Sequence, residues 1–240
     1  MNIVISQSML FPWVGLLEQV RLADVFVHYD DVQFSKGSFV NRVQIKTSQG
    51  QNWMTVPLKN LHLGQCIDEV EVAPPKEWRR RHLDLLETSF AGASHTSDAL
   101  ELAENVYSVD YLNLGALARA SLMALVRYFE LDISTRFLDI KELGIAGRSS
   151  ERVLAVVRSL NGDTYITGHG AARYLNHELF EAHKIKVEYM NYRSIMYSQL
   201  HGDFNPYVSG LDLVANCGKD GARYICSKTI DWRRLDNGSR

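Results

Sequence analysis

The first twenty-nine residues restrict the fold more than any other stretch of the chain. Asn2-Ile3-Val4-Ile5 is a short apolar run that reads as a buried strand, and Ser6-Gln7-Ser8 and Phe11-Pro12 interrupt it. Trp13 to Leu22 then reads as a helix, with Pro12 near its first turn, where a missing N–H costs nothing. Val25 to Tyr29 is a second apolar strand. Two strands joined through a helix pair in parallel with a right-handed crossover. The chain therefore starts as an α/β protein.

The middle of the chain changes character. Ser38 to Thr47 alternates loosely, Ser48-Gln49-Gly50-Gln51-Asn52 is turn chemistry, and Trp53 to Leu58 alternates again. That pattern predicts a hairpin. Ile67 to Val72 reads as extended and ends at Pro74-Pro75; Glu77–Phe90, Ser97–Val106 and Tyr111–Glu130 read as helices. The α/β alternation then resumes. Ser134–Asp139 is a strand, and Ser149–Leu160 is a helix capped by Ser149 or Ser150. Thr164–Thr167 is a strand, Ala171–His183 a helix and Lys186–Tyr192 a strand, and Ser209–Arg240 reads as a helix plus irregular chain. The expectation is one α/β domain over residues 1–240. It has five core strands in a doubly wound, Rossmann-like parallel sheet, a β-rich insertion at 38–75 and a helical insertion at 77–130.

Composition limits the class of function. The net charge is −2, which argues against a broad nucleic-acid surface but not against a local basic pocket. Cys66, Cys217 and Cys226 are odd in number, widely spaced and form no CxxC, so free thiols are expected and a zinc site or disulfide framework is not. There is no signal-like start and no long apolar run, which points to a cytoplasmic protein without membrane insertion.

The chemistry concentrates directly after the second strand. Asp30-Asp31-Val32-Gln33-Phe34-Ser35-Lys36 is followed by Asn41-Arg42 and by Lys46, with aromatics interleaved. That polarity suits neither a core strand nor a plain solvated loop; it suits a pocket for a polar ligand. In an open α/β sheet the ligand lies beyond the carboxyl ends of the strands, at the point where strand order reverses. Ser6–Pro12, Asp30–Lys36 and Gly168-His169-Gly170 are the loops expected to meet there. Asp30 and Asp31 are candidates for a general base or for metal ligands, although neighbours in extended chain point to opposite faces, so one of them would close a turn. Arg42 suits a phosphate or carboxylate, with an ion pair to Asp30 or Asp31 as its plainer role. The Gly168–Gly170 turn would expose backbone donors at a helix start, with His169 facing solvent. His28, inside an apolar strand, reads as a satisfied core histidine.

Several motifs together resemble the WbqC-like family. They are Ile5–Gly15, Ala23-Asp24-Val25-Phe26-Val27, Asp30–Lys36 with Asn41-Arg42, Thr55-Val56-Pro57, Thr164–Gly168 with Tyr174-Leu175, Tyr197-Ser198-Gln199-Leu200, Phe204-Asn205-Pro206, Ser209 and Leu211-Asp212-Leu213. The family usually opens with His-Gln-Pro where this chain has Ser6-Gln7-Ser8, so a mechanism built on that histidine is not implied here. A fainter similarity of architecture is to the HUP nucleotidyl-transferase class, whose members, such as pantothenate synthetase, activate a carboxylate with ATP; its HxGH signature is absent.

The family's genomic setting implies work on bacterial surface polysaccharide of the O-antigen type. The resemblance thus implies an enzyme that forms an amide on the amino group of a nucleotide-linked amino sugar. The donor would be a small acid or amino acid such as glycine, activated by ATP and Mg2+, by an acyl carrier or by aminoacyl-tRNA. On that reading Asp30 or Asp31 and Gln7 are catalytic. Lys36, Arg42 and Lys46 hold phosphate, and Trp13, Gln33, Asn41, Tyr174 and the Gly168-His169-Gly170 turn bind substrate. The rival expectations are a glycosyltransferase-like enzyme using a nucleotide sugar, with the paired acids on a metal–diphosphate, and a non-catalytic nucleotide-sugar binder or assembly partner.

Overall fold

The structure is a computed structural model that describes residues 1–235. In chain order, β1 (Asn2–Ser6), α1 (Val14–Leu22) and β2 (Val25–His28) form the expected parallel unit. The chain then leaves the sheet through β3 (Arg42–Thr47), β4 (Gly50–Thr55), β5 (Leu58–Lys59), β6 (Glu71–Val72), α2 (Pro75–Phe90), α3 (Thr96–Tyr107) and α4 (Leu114–Tyr128). It returns through β7 (Arg136–Asp139), α5 (Ser149–Ser159), β8 (Thr164–Thr167), α6 (His177–Ala182), β9 (Lys186–Asn191), α7 (Gly210–Cys217) and β10 (Lys228–Asp231).

The main sheet runs β10-β9-β8-β1-β2-β7. Its first five strands in the chain are parallel, and β10 joins β9 antiparallel. Numbered by chain order, the parallel strands lie 3-2-1-4-5. The chain winds outward from β1 through β2 to β7, crosses over, and winds outward again through β8 to β9. Strand order therefore reverses between β1 and β8, and that is where such a sheet leaves a crevice.

Alternation of side chains explains why both faces are covered. Ile3, Ile5, Val25, Val27, Tyr165, Val187 and Tyr189 pack on one face against Val153, Leu154 and Val157 of α5 and Phe180 of α6. Val4, Phe26, Ile166 and Met190 pack on the other against Leu16, Leu17 and Val20 of α1 and Leu122 and Leu125 of α4. Each large apolar side chain buried this way contributes about 1.5–3 kcal/mol.

The loop after β1 is held at many points, which makes it a rigid platform. The Phe11 N–H donates to Ser121 Oγ at 2.9 Å, and its carbonyl accepts from Ser209 Oγ at 2.8 Å. These bonds hold Phe11 at φ 36°, a left-handed conformation that a bulky residue adopts only when its surroundings impose it. The Gly210 N–H donates to the Pro12 carbonyl at 2.7 Å, and a Cβ on Gly210 would lie 2.9 Å from that oxygen, so α7 can dock here only with glycine at its start.

The hairpin forms as predicted, with β3 and β4 paired from Arg42↔Thr55 to Thr47↔Gly50 around a Ser48-Gln49 turn. Four expectations change. Lys228–Asp231 supplies a sixth, antiparallel strand where irregular chain was expected; its polar, exposed-edge composition hides it. Ile67–Val72 is not continuous strand, because Ile67–Glu69 makes a 3-10 turn before the two-residue β6. Ala171–His183 is not one helix: a 3-10 turn at His169–Arg173 is separated from α6 by Asn176, whose side chain caps α6 by accepting from the Leu179 N–H. Neither Ser149 nor Ser150 caps α5; Arg148 holds the cap position, with no side-chain cap bond. Residues 236–240 of the expected domain lie outside the described residues.

Candidate functional site

A cleft of about 990 Å³ opens at the carboxyl ends of β1 and β8, on the reversal point. Ser6 enters it from the end of β1 and Gln7 from the loop that follows, Asp31 and Gln33 from the segment after β2, and Gly168, His169, Gly170 and Tyr174 from the chain after β8. Trp13, at the start of α1, forms part of its wall. The three loops expected to meet at one end of the sheet do meet there.

Asp30 and Asp31 part ways. Asp30 is 1% exposed and does not line the cleft. Its Oδ1 accepts from the Ser8 N–H at 2.8 Å, and its Oδ2 accepts from Ser8 Oγ at 2.7 Å and from Arg119 Nη2 at 3.1 Å. Arg119 also donates to Asp139 at 2.7 Å. With the Ser8 hydroxyl proton committed to Asp30, the His28 Nδ1 at 3.0 Å carries its own proton and donates to Ser8 Oγ. Burial pushes Asp30 above the usual carboxylate range, opposed by the Ser8 and Arg119 donors. Burial, helped by the nearby Arg119 charge, pushes His28 down to about 3, so it is the satisfied core histidine expected. Asp30 thus fixes the Ser6–Ser8 segment from beneath and does not reach the cleft, where the sequence predicts it as a catalytic candidate.

Asp31 faces the cleft and takes a two-point ion pair from Arg152 of α5, at 3.0 and 2.6 Å. Arg152 Nε donates to the Ile145 carbonyl at 2.9 Å, and its guanidinium lies 5.0 Å from the Tyr29 ring centre. The Asp31 hydrogen bonds hold the Arg152 charge even more firmly than usual. Four residues earlier, at the N-cap of α5, Arg148 lines the same cleft, exposed, its side chain without an ion pair or hydrogen bond among the described residues.

The opposite wall is aromatic. The Trp13 ring centre lies 4.9 Å from that of Tyr192 and 5.6 Å from that of Tyr207. Tyr192 Oη accepts from Gln19 Nε2 at 3.0 Å, and burial pushes its phenol far above the ordinary value. The backbone at Gly168 passes close to this wall: a Cβ there would lie 3.2 Å from that hydroxyl, so a larger residue would require the tyrosine to shift. His169 is half-buried rather than solvent-facing: its Nε2–H donates to the Met190 carbonyl at 2.6 Å, which leaves Nδ1 as the ring's acceptor in the neutral form. The turn it opens is a five-residue 3-10 turn and not the helix start that was expected, but the His169 and Gly170 N–H groups still begin it without acceptors inside the turn.

Four of the expected binding residues lie elsewhere. Lys36 is exposed outside the cleft. Asn41 is buried and ties β3 to the Val56 carbonyl at 3.0 Å. Arg42 pairs with neither aspartate; it donates to the Gly37 carbonyl at 2.6 Å and stacks over Trp53 at 4.1 Å. Lys46 is buried and donates to Gln199 Oε1 at 3.1 Å and the Gly202 carbonyl at 3.0 Å. The hairpin carries all but Lys36 away from the crevice. In their place the structure brings Arg148, Arg152, Tyr29, Tyr192 and Tyr207, which local pattern did not single out. The available signal was Gly147-Arg148-Ser149 at a predicted helix start following a strand.

The WbqC-like protein family model matches residues 7–224. The chain belongs to that family. This WbqC-like protein is also 32% identical over 227 residues to "Uncharacterized protein Rv1507c" of Mycobacterium tuberculosis, across 93% of this chain and 97% of the other. No solved structure matches it. Membership of the WbqC-like family fits a role related to polysaccharide biosynthesis. Among the described residues no helix is long and apolar enough to cross a membrane, no group of three or more His, Cys, Asp or Glu is placed to hold a metal ion, and all three cysteines are unpaired.

Proposed function

We propose that this WbqC-like protein binds a nucleotide-linked amino sugar in the cleft at the β1–β8 reversal and forms an amide on its amino group. One observation carries the reading. An unpaired guanidinium, Arg148, and the clustered rings of Trp13, Tyr192 and Tyr207 line one cleft large enough for such a ligand. A phosphate suits the first and a sugar or base ring suits the second.

The catalytic roles follow from which polar groups are free. The sugar amine attacks the carbonyl carbon of the acyl donor, a C–N bond forms, and the donor's leaving group departs with its electron pair. The amine's proton passes to His169 Nδ1, whose partner nitrogen is fixed by Met190. Developing negative charge on the acyl oxygen is met by the His169 and Gly170 N–H groups and by the Gln7 side chain, which has no hydrogen-bond partner among the described residues. Gln33 and Tyr174 border the sugar. Activation by ATP and Mg2+ would bring phosphates to Arg148 as well, with Asp31 the nearest carboxylate in the cleft.

A non-catalytic nucleotide-sugar binder is the second reading, favoured by the fact that every carboxylate oxygen of Asp30 and Asp31 already accepts a hydrogen bond. The same fact disfavours a glycosyltransferase role in which the two acids share a metal–diphosphate. A thermal-shift panel of nucleotides and nucleotide sugars tests binding, since a ligand held only by the native state raises its melting temperature. A nucleotide-linked amino sugar should give the largest shift, and Arg148→Ala should remove it. Mass spectrometry of that sugar incubated with activated glycine then separates enzyme from binder by the presence or absence of an amide product.

A further inference from the structure

Asp31 and Arg152 pair inside the cleft, yet the two are not held alike. Arg152 has supports of its own in the Ile145 carbonyl and the Tyr29 ring. Asp31 has none: among the described residues, Arg152 supplies every hydrogen bond its carboxylate accepts. The backbone on either side of Asp31 is fixed, because the Asp30 and Val32 carbonyls accept from the Asp68 and Ile67 N–H groups. The Asp31 side chain can therefore leave while Arg152 and the main chain stay in place. Arg148 holds the N-cap position of α5, four residues before Arg152, and both arginines line the cleft.

We infer that Asp31 is an internal stand-in for the ligand's anionic group, seated on Arg152 in the empty cleft and displaced when a diphosphate bridges Arg148 and Arg152. The inference rests on the reading of the cleft as a nucleotide-sugar site and deepens it by assigning selectivity. A monophosphate or carboxylate reaches Arg148 and must then contend with the Asp31 charge beside it. A diphosphate can satisfy both guanidinium groups at once and compensate for breaking the internal pair. Asp31 thus sets a threshold of charge that a ligand must exceed, since like charge placed against a ligand disfavours the wrong one.

Isothermal titration of the full-length protein with inorganic pyrophosphate and with inorganic phosphate tests this, on wild type, Asp31→Asn and Arg148→Ala. The wild type should bind pyrophosphate about tenfold or more tighter than phosphate. Asp31→Asn should tighten pyrophosphate binding about tenfold and phosphate binding by more, which narrows the preference. Arg148→Ala should weaken both. Unchanged or weaker pyrophosphate binding in Asp31→Asn, with Arg148→Ala weaker than wild type, would overturn the exchange and leave the anion site standing. No binding of either ion to wild type and Asp31→Asn would overturn both. Should Asp31→Asn fail to fold, a crystal structure of the wild type grown with pyrophosphate decides. Pyrophosphate on Arg152, with Asp31 turned away and the Ile145 bond kept, supports the exchange; an intact Asp31–Arg152 pair overturns it.

Discussion

Asp30 and Asp31 are neighbours in the chain and each meets an arginine, yet their surroundings differ in kind. Asp30 is sealed beneath the loop after β1, where the Ser8 backbone, the Ser8 hydroxyl and Arg119 all converge on it. Asp31 lies on the cleft wall, held by Arg152. Asp30 lies just past β2 and Asp31 in the bend that follows, so one aspartate is buried in the scaffold and the other lines the cleft. Placing the two side by side lets a single segment fix the loop geometry and present a charge to the crevice that loop borders.

The comparison breaks first at Asp30. Asp30→Ala leaves Arg119 and the Ser8 N–H without their buried partner, and such a loss costs about 3–5 kcal/mol. Chemical denaturation should show it as a lower midpoint at unchanged slope. If Asp31→Ala costs as much, the contrast between scaffold and site is wrong; the expected cost there is about 1–2 kcal/mol, because both of its side chains keep some access to water.

Acid should reveal the same scaffold through His28. Its folded value, about 3, lies below its ordinary 6.5, so the unfolded chain binds more protons between those limits. The stability it contributes is complete above about pH 6.5 and is lost as the pH falls toward 3, by on the order of a few kcal/mol. His82, pushed down to about 4 by burial, acts in the same direction, while the raised carboxylates of Glu18, Asp30 and Asp212 act against it. Melting temperatures from pH 7 to 4 should therefore fall less steeply for His28→Gln than for wild type. Equal slopes would remove His28 from the account.

The smallest effect is expected on the hairpin. Arg42→Ala removes a stacked guanidinium from Trp53 and one bond to the Gly37 carbonyl, at a cost of about 0.5–1 kcal/mol. It should leave nucleotide-sugar binding unchanged in the same thermal-shift panel. Loss of binding in Arg42→Ala would extend the site onto β3 and weaken the contrast.

These residues also show how much the sequence disclosed. The β1–α1–β2 unit, the hairpin and the resumed alternation after Ser134 were legible because apolar period and turn residues agree locally. The same rules placed Gln7, Asp31, Gln33, Gly168, His169 and Gly170 near one crevice, through the reversal point of the sheet, and the family resemblance added Trp13 and Tyr174. Arg148 and Arg152 were not legible. On an amphipathic helix they look like ordinary solvated charge, and only the crossover from β7 to β8 brings the start of α5 over β1. Lys46 misled for the converse reason: a lysine read as a phosphate ligand is buried against Gln199 and the Gly202 carbonyl, a partnership formed across the fold. β10 escaped notice because Lys228-Thr229-Ile230-Asp231 is a polar edge strand with no apolar run to mark it.

The central claim is that the crevice between β1 and β8 receives the ligand. Hydrogen–deuterium exchange, with and without the nucleotide sugar that most raises the melting temperature, tests it most directly. The account predicts slowed exchange in Ser6–Ser8, Gly147–Arg152 and Gly168–Gly170 together, with β3 and β4 unchanged. Protection confined to the hairpin, or absent from all three cleft segments, would contradict it.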